Sequence, residues 1–67
     1  MGKPDYSYGI EPRPETLGGG YRLRLIEAGE EVGGGVFPLE EYADEPEPEK
    51  AAYADAQAEG ETWLATR

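Results

Sequence analysis

The sequence contains no cysteine, no histidine and a single serine, Ser7. The two side chains most used for acid–base and soft nucleophilic catalysis are therefore missing. Ser7 has no base near it in sequence. Without cysteine there is neither a disulfide framework nor a thiolate metal site, and a small domain of this kind is more at home in a reducing cytoplasm. No apolar run approaches the roughly 20 residues needed to cross a bilayer. The start, Met1-Gly2-Lys3-Pro4-Asp5, leads into no apolar signal segment. A soluble, cytoplasmic protein is expected. Positive charge is scarce too: six Lys and Arg stand against 15 Asp and Glu, a net charge of −9 in 67 residues.

That charge is unevenly spread. Residues 1–39 carry six acids and four basic groups, a balance of −2; residues 40–67 carry nine acids and two basic groups, a balance of −7. Direct binding to nucleic acid or to an anionic membrane is opposed over about a Debye length, ~8–10 Å, whereas a basic protein surface is attracted. The length allows one domain, residues 1–67, with marginal stability and a thin core. Eight of the hydrophobic residues are alanines, so few large groups remain to pack. Self-association is an open alternative.

The fold is organised around Gly18–Pro38. Tyr21, Leu23 and Leu25 alternate with Arg22 and Arg24, the period-two pattern of a strand with one buried face. Gly29 supplies the positive φ of a short loop, after which Val32, Val36 and Phe37 continue. The pattern predicts an antiparallel β-hairpin over about 21–27 and 31–37. Arg22 and Arg24 lie opposite the apolar face, and cross-strand pairing with Glu31 is their simplest use.

Pro4, Pro12 and Pro14 forbid a continuous helix before the hairpin. Tyr6, Tyr8 and Ile10 alternate, so residues 5–10 form either a third edge strand or part of an extended arm over 1–17. The triplets Gly18–Gly20 and Gly33–Gly35 match neither a P-loop nor a dinucleotide fingerprint. They read as a flexible strand entry and as a bulged or close-packed strand. The second triplet leaves a side-chain-free groove; on that reading Gly34→Val blocks a partner there and preserves the fold.

Residues 39–48 form an acidic, proline-containing loop, solvated and mobile in composition. Pro48 suits the first turn of a helix, and the run from Lys50 to Glu59 is rich in strong helix formers. Tyr53, Ala56, Gly60, Trp63 and Leu64 share one face of a helix over about 48–65. Gly60 either continues that helix or caps it, with Thr62–Thr66 returning as a strand; the phase of Trp63 and Leu64 favours the helix. The expected fold class is α+β, a hairpin packed by one C-terminal helix.

Carboxylate pairs at Glu30/Glu31, Glu40/Glu41 and Asp44/Glu45 lack the enclosing cleft that catalysis by carboxylates requires. The calcium-loop pattern is absent. We therefore expect no enzymatic activity, no cofactor and no metal. Binding is the alternative use, with Glu40, Glu41, Asp44, Glu45, Glu47, Glu49, Asp55 and Glu59 as the partner-binding residues. Asp55 and Glu59 stand one helical turn apart, about 6 Å along the axis. DNA spaces its charges by roughly 3.4 Å per strand step, so acids on a helix and loop imitate a short run of phosphates.

With its small size, the run Tyr21-Arg22-Leu23-Arg24-Leu25-Ile26-Glu27-Ala28-Gly29-Glu30 and an acidic carboxy-terminal half, the chain resembles the small acidic inhibitors carried by phages and mobile elements, anti-CRISPR proteins among them. The resemblance implies a DNA-mimicking inhibitor that occupies the basic surface of a nucleic-acid-binding complex. A β-β-α interaction or regulatory module, with self-association open to it, is the alternative.

Overall fold

The computed structural model describes residues 5–67. Three strands, β1 (Tyr6–Pro12), β2 (Tyr21–Glu27) and β3 (Glu30–Phe37), form an antiparallel sheet in the order β1-β2-β3. One helix, α1 (Pro48–Ala65), covers one face, giving the expected α+β class. Of the two readings of the N-terminal segment, the structure has the strand: residues 6–12 pair along the whole of β2, from Tyr6↔Glu27 to Pro12↔Tyr21. Glu15–Leu17 then form a 3-10 turn rather than extended arm. Residues 1–4 of the proposed arm lie outside the described residues. The helix continues through Gly60 to Ala65, so no strand returns over 62–66.

The hairpin closes through Ala28-Gly29, with φ of 54° and 84°. Two consecutive positive φ values mark the twist-matched turn that two-residue hairpins favour. Glu27 pairs with Glu30, so β3 begins one residue earlier than the alternation of apolar groups indicates. The ladder then slips: Ile26 pairs with Glu31, Leu25 with Gly33, and Val32 is the extra residue of a bulge. In a regular ladder Val32 would oppose Ile26, and Glu31 would point toward the helix side. The bulge turns Glu31 to the face that carries Arg22 and Arg24.

That uncovered face holds a lattice of four charges. Arg22 reaches Glu31 at 2.8 Å and Glu11 at 3.7 Å; Arg24 reaches Glu31 at 3.0 Å and Glu11 at 2.9 Å. The pairing with Glu31 follows from the strand pattern; Glu11 joins because β1 is a strand. Exposed pairs contribute only ~0.2–1 kcal/mol each, but here two guanidinium groups neutralise two carboxylates across three strands.

On the other face the core is small. Among the described residues, Leu23, Ala52 and Ala56 are the buried hydrophobic ones, and Leu23 alone contributes a large side chain, at about 1.5–3 kcal/mol for full burial. Ala52, Ala56 and Gly60 recur every four residues and form the stripe of α1 that meets the sheet. Aromatic pairs close both ends: Tyr21 meets Tyr53 edge-on at 5.2 Å, and Tyr6 meets Trp63 edge-on at 5.7 Å. Because Tyr6 lies opposite Glu27, α1 runs in the direction of β2 and against β3.

The glycines are structural in two different ways. At Gly34, φ is 153° and a Cβ would lie 2.0 Å from the Leu23 carbonyl oxygen. The expectation that Gly34→Val blocks a partner and preserves the fold is therefore corrected: the space for any side chain is occupied by β2 backbone. Gly18, Gly19 and Gly20 all have positive φ, and a Cβ on Gly20 would lie 2.1 Å from the Phe37 carbonyl oxygen. Arg13 ties this loop, donating to the carbonyls of Gly19 and Leu17, each at 2.8 Å.

Candidate functional site

Two local structures position the acids expected to bind a partner. Pro38, its φ fixed by the ring at −75°, takes an extended conformation (ψ 148°) and is followed by a 3-10 turn at Leu39–Tyr42, so the acidic loop of residues 39–48 is not featureless. The turn carries Glu40 and Glu41, and the backbone N–H of Glu45 bonds back to the Tyr42 carbonyl at 3.0 Å. The second is α1, started by Pro48 with Glu47 before it. Glu47 lends no side-chain cap; its backbone oxygen accepts the Ala51 N–H at 3.0 Å, and its carboxylate lies 3.6 Å from Lys50.

All eight residues, Glu40, Glu41, Asp44, Glu45, Glu47, Glu49, Asp55 and Glu59, are exposed. The structure draws some of them together through a residue the sequence reading passes over. The Tyr42 hydroxyl donates to Asp55 Oδ2 at 2.8 Å, fastening the 3-10 turn to the helix. Burial first, then the hydrogen bond to Asp55, and then the charges of Asp55, Glu41 and Glu59 push the Tyr42 pKa up to about 12. Glu41, Asp55 and Glu59 thus gather their field around one phenol on the β3 flank of α1. The signal for Tyr42 was a lone aromatic within a run of acids: a solvated loop has no use for one, and a docked turn does.

Glu40, Asp44, Glu45 and Glu49 make no ion pair or side-chain hydrogen bond among the described residues: Glu40 stands on the turn, Asp44 and Glu45 follow it, and Glu49 lies in the first turn of α1. On the opposite flank of α1, Tyr8 donates to Glu61 at 3.3 Å. Burial, followed by the Glu61 charge and hydrogen bond, holds the Tyr8 phenol above its usual range.

The charge is therefore segregated. Carboxylates Glu11 and Glu31 on the open sheet face are matched by arginines. Of the nine acids in residues 40–67, Glu47 alone has a cation within 4.0 Å among the described residues. No group of three or more carboxylates is arranged to hold a metal ion among the described residues. A depression of about 360 Å³ borders the Gly18–Gly20 loop, lined also by Arg13, Glu15, Leu39 and Glu49. It is no phosphate cradle: Arg13 is committed to loop carbonyls, and the other charged side chains are carboxylates. No helix among the described residues is long and apolar enough to cross a membrane.

In comparisons with known proteins, no family model, no curated protein and no solved structure matches this chain.

Proposed function

We propose that this protein is a non-enzymatic binder whose anionic flank, the 3-10 turn and the adjoining side of α1, occupies a basic, nucleic-acid-binding surface of a partner protein. It acts as a DNA-mimicking inhibitor of the anti-CRISPR-like kind. The observation that supports this reading is the segregation of charge: a sheet face with its carboxylates matched to arginines, against a turn and helix whose acids are almost all unpaired among the described residues. An unmatched anionic surface repels nucleic acid and accelerates encounter with a basic groove.

The test is capture from a bacterial lysate at low and high salt, with wild-type protein and with the variant Glu41→Gln/Glu45→Gln/Asp55→Asn/Glu59→Gln. Asn at position 55 retains an acceptor for the Tyr42 hydroxyl, so the turn stays docked. Wild type is expected to capture a nucleic-acid-binding protein at low salt and release it at high salt, and the variant to lose it. Equal capture by the two proteins at low salt, or wild-type capture unchanged at high salt, would contradict the reading.

A further inference from the structure

The edge of β3 gives this reading a specific mode of recognition. β3 pairs with β2 on one side only, and among the described residues its outer edge faces no other strand. Between Gly33 and Val36 it carries no charge and no proline, and its one bulge, at Val32, lies toward the hairpin turn, so the features that usually blunt an edge are missing from this stretch. Gly33 and Gly35 lie on the helix-facing side of the sheet and present no side chain there. The space beside them is bounded by a carboxylate instead: Glu59 Oε2 is 3.7 Å from the position a Cβ on Gly35 would take. Asp55 stands one turn back along α1, which runs against β3, so it is displaced toward the Phe37 end.

The two periodicities match. Four helical residues advance about 6 Å, and two strand residues advance about 6.8 Å. Carboxylates at positions 55 and 59 therefore fall in step with alternate residues of a strand laid along β3. Resting on the proposal that the partner is basic, we infer that the β3 edge takes up an extended partner segment by strand addition, with Lys or Arg at alternate positions meeting Asp55 and Glu59. Backbone hydrogen bonds would supply affinity, and the basic-x-basic spacing would supply selectivity. A second copy of this chain is the poorer occupant, because each copy carries a net charge of −9 and would bring like-charged flanks together.

Two short synthetic peptides of identical composition test this, one with Lys at alternate positions and threonine between, the other with its lysines in one block. Hydrogen exchange of the wild-type amides is followed by NMR, with and without each peptide. The alternating peptide is expected to slow exchange at amides within Val32–Val36 by about tenfold or more. The block peptide is expected to leave them unchanged, and Glu59→Gln to weaken binding of the alternating peptide by about two- to fivefold. Both peptides binding alike with β3 amides unprotected would overturn strand addition and leave the basic-partner reading standing. Failure of the alternating peptide to bind at low salt would overturn the inference, and so would protection of β3 that depends on protein concentration without peptide. Failure of the broader reading shows separately, as unchanged lysate capture by the neutralised variant.

Discussion

Tyr8 fills the notch that Gly60 leaves in the helix: a Cβ at position 60 would lie 2.6 Å from the Tyr8 ring atoms Cγ and Cδ2. Gly60 sits within α1, where glycine costs ~1 kcal/mol relative to alanine. Here contact outweighs propensity. The atoms struck lie at the base of the ring and belong to a strand, so they cannot swing aside. Overpacking of this kind costs about 1–3 kcal/mol, and Gly60→Ala is expected to be destabilising by about 1–2 kcal/mol net. Thermal unfolding checks it: a domain of this size loses roughly 4–8 °C per kcal/mol. A raised midpoint would show that Tyr8 does not hold α1 against the sheet.

Gly34 and Gly33 are neighbours in sequence with opposite tolerances. A Cβ on Gly34 meets Leu23 backbone oxygen at 2.0 Å, whereas one on Gly33 meets Leu25 Cδ1 at an ordinary 3.6 Å. Gly34→Ala is expected to cost on the order of 3 kcal/mol or more, by forcing β3 off β2. Gly33→Ala should stay within about 1 kcal/mol of wild type. Urea unfolding of both variants decides the matter, and equal midpoints would contradict the strand geometry.

Ala28 holds a φ of 54°, which alanine adopts at a cost of roughly 1 kcal/mol. Its backbone N–H donates to the Asp5 carbonyl at 2.7 Å, so a replacement must keep that donor. Ala28→Asn and Ala28→Gly both do, and each is expected to stabilise the protein by about 0.5–1 kcal/mol. A lowered unfolding midpoint for both would contradict the turn assignment.

The Tyr42 phenol has a folded pKa of about 12 against an ordinary 10.0. Between these values the unfolded chain loses its proton and the folded one keeps it, so unfolding is increasingly favoured as pH rises. The stabilisation is fully present below pH 10 and is lost as pH rises through about 12. Tyr42→Phe should flatten that part of the alkaline stability profile and remove the latest-titrating tyrosinate absorbance. An unchanged profile would mean that the turn is not docked on α1.

Much of this architecture can be read from the sequence because its signals are local and periodic. The alternation from Tyr21 to Leu25, the turn glycine at 29 and the alanine-rich run after Pro48 each specify an element without help from distant residues. β1 stays ambiguous in the sequence because Tyr6, Tyr8 and Ile10 become a strand only by pairing with β2. The bulge at Val32 is hidden for a related reason: it compensates a mismatch between two strands, satisfied when Glu31 reaches the arginines. At the candidate site, composition points to the acids, but their grouping depends on the long-range bond from Tyr42 to Asp55. Gly34 is the clearest failure of local reading. The sequence presents an empty groove, and the fold fills it with the Leu23 carbonyl.

Whether an anionic flank displaces nucleic acid from its partner is best answered by competition. The captured partner, purified and loaded with fluorescently labelled duplex DNA, is titrated with this protein while anisotropy is followed at several salt concentrations. Release of the duplex is expected, at a midpoint that rises steeply with salt and is shifted upward by Asp55→Asn/Glu59→Gln. A ternary complex that retains its DNA, or displacement indifferent to both salt and those two carboxylates, would contradict the account.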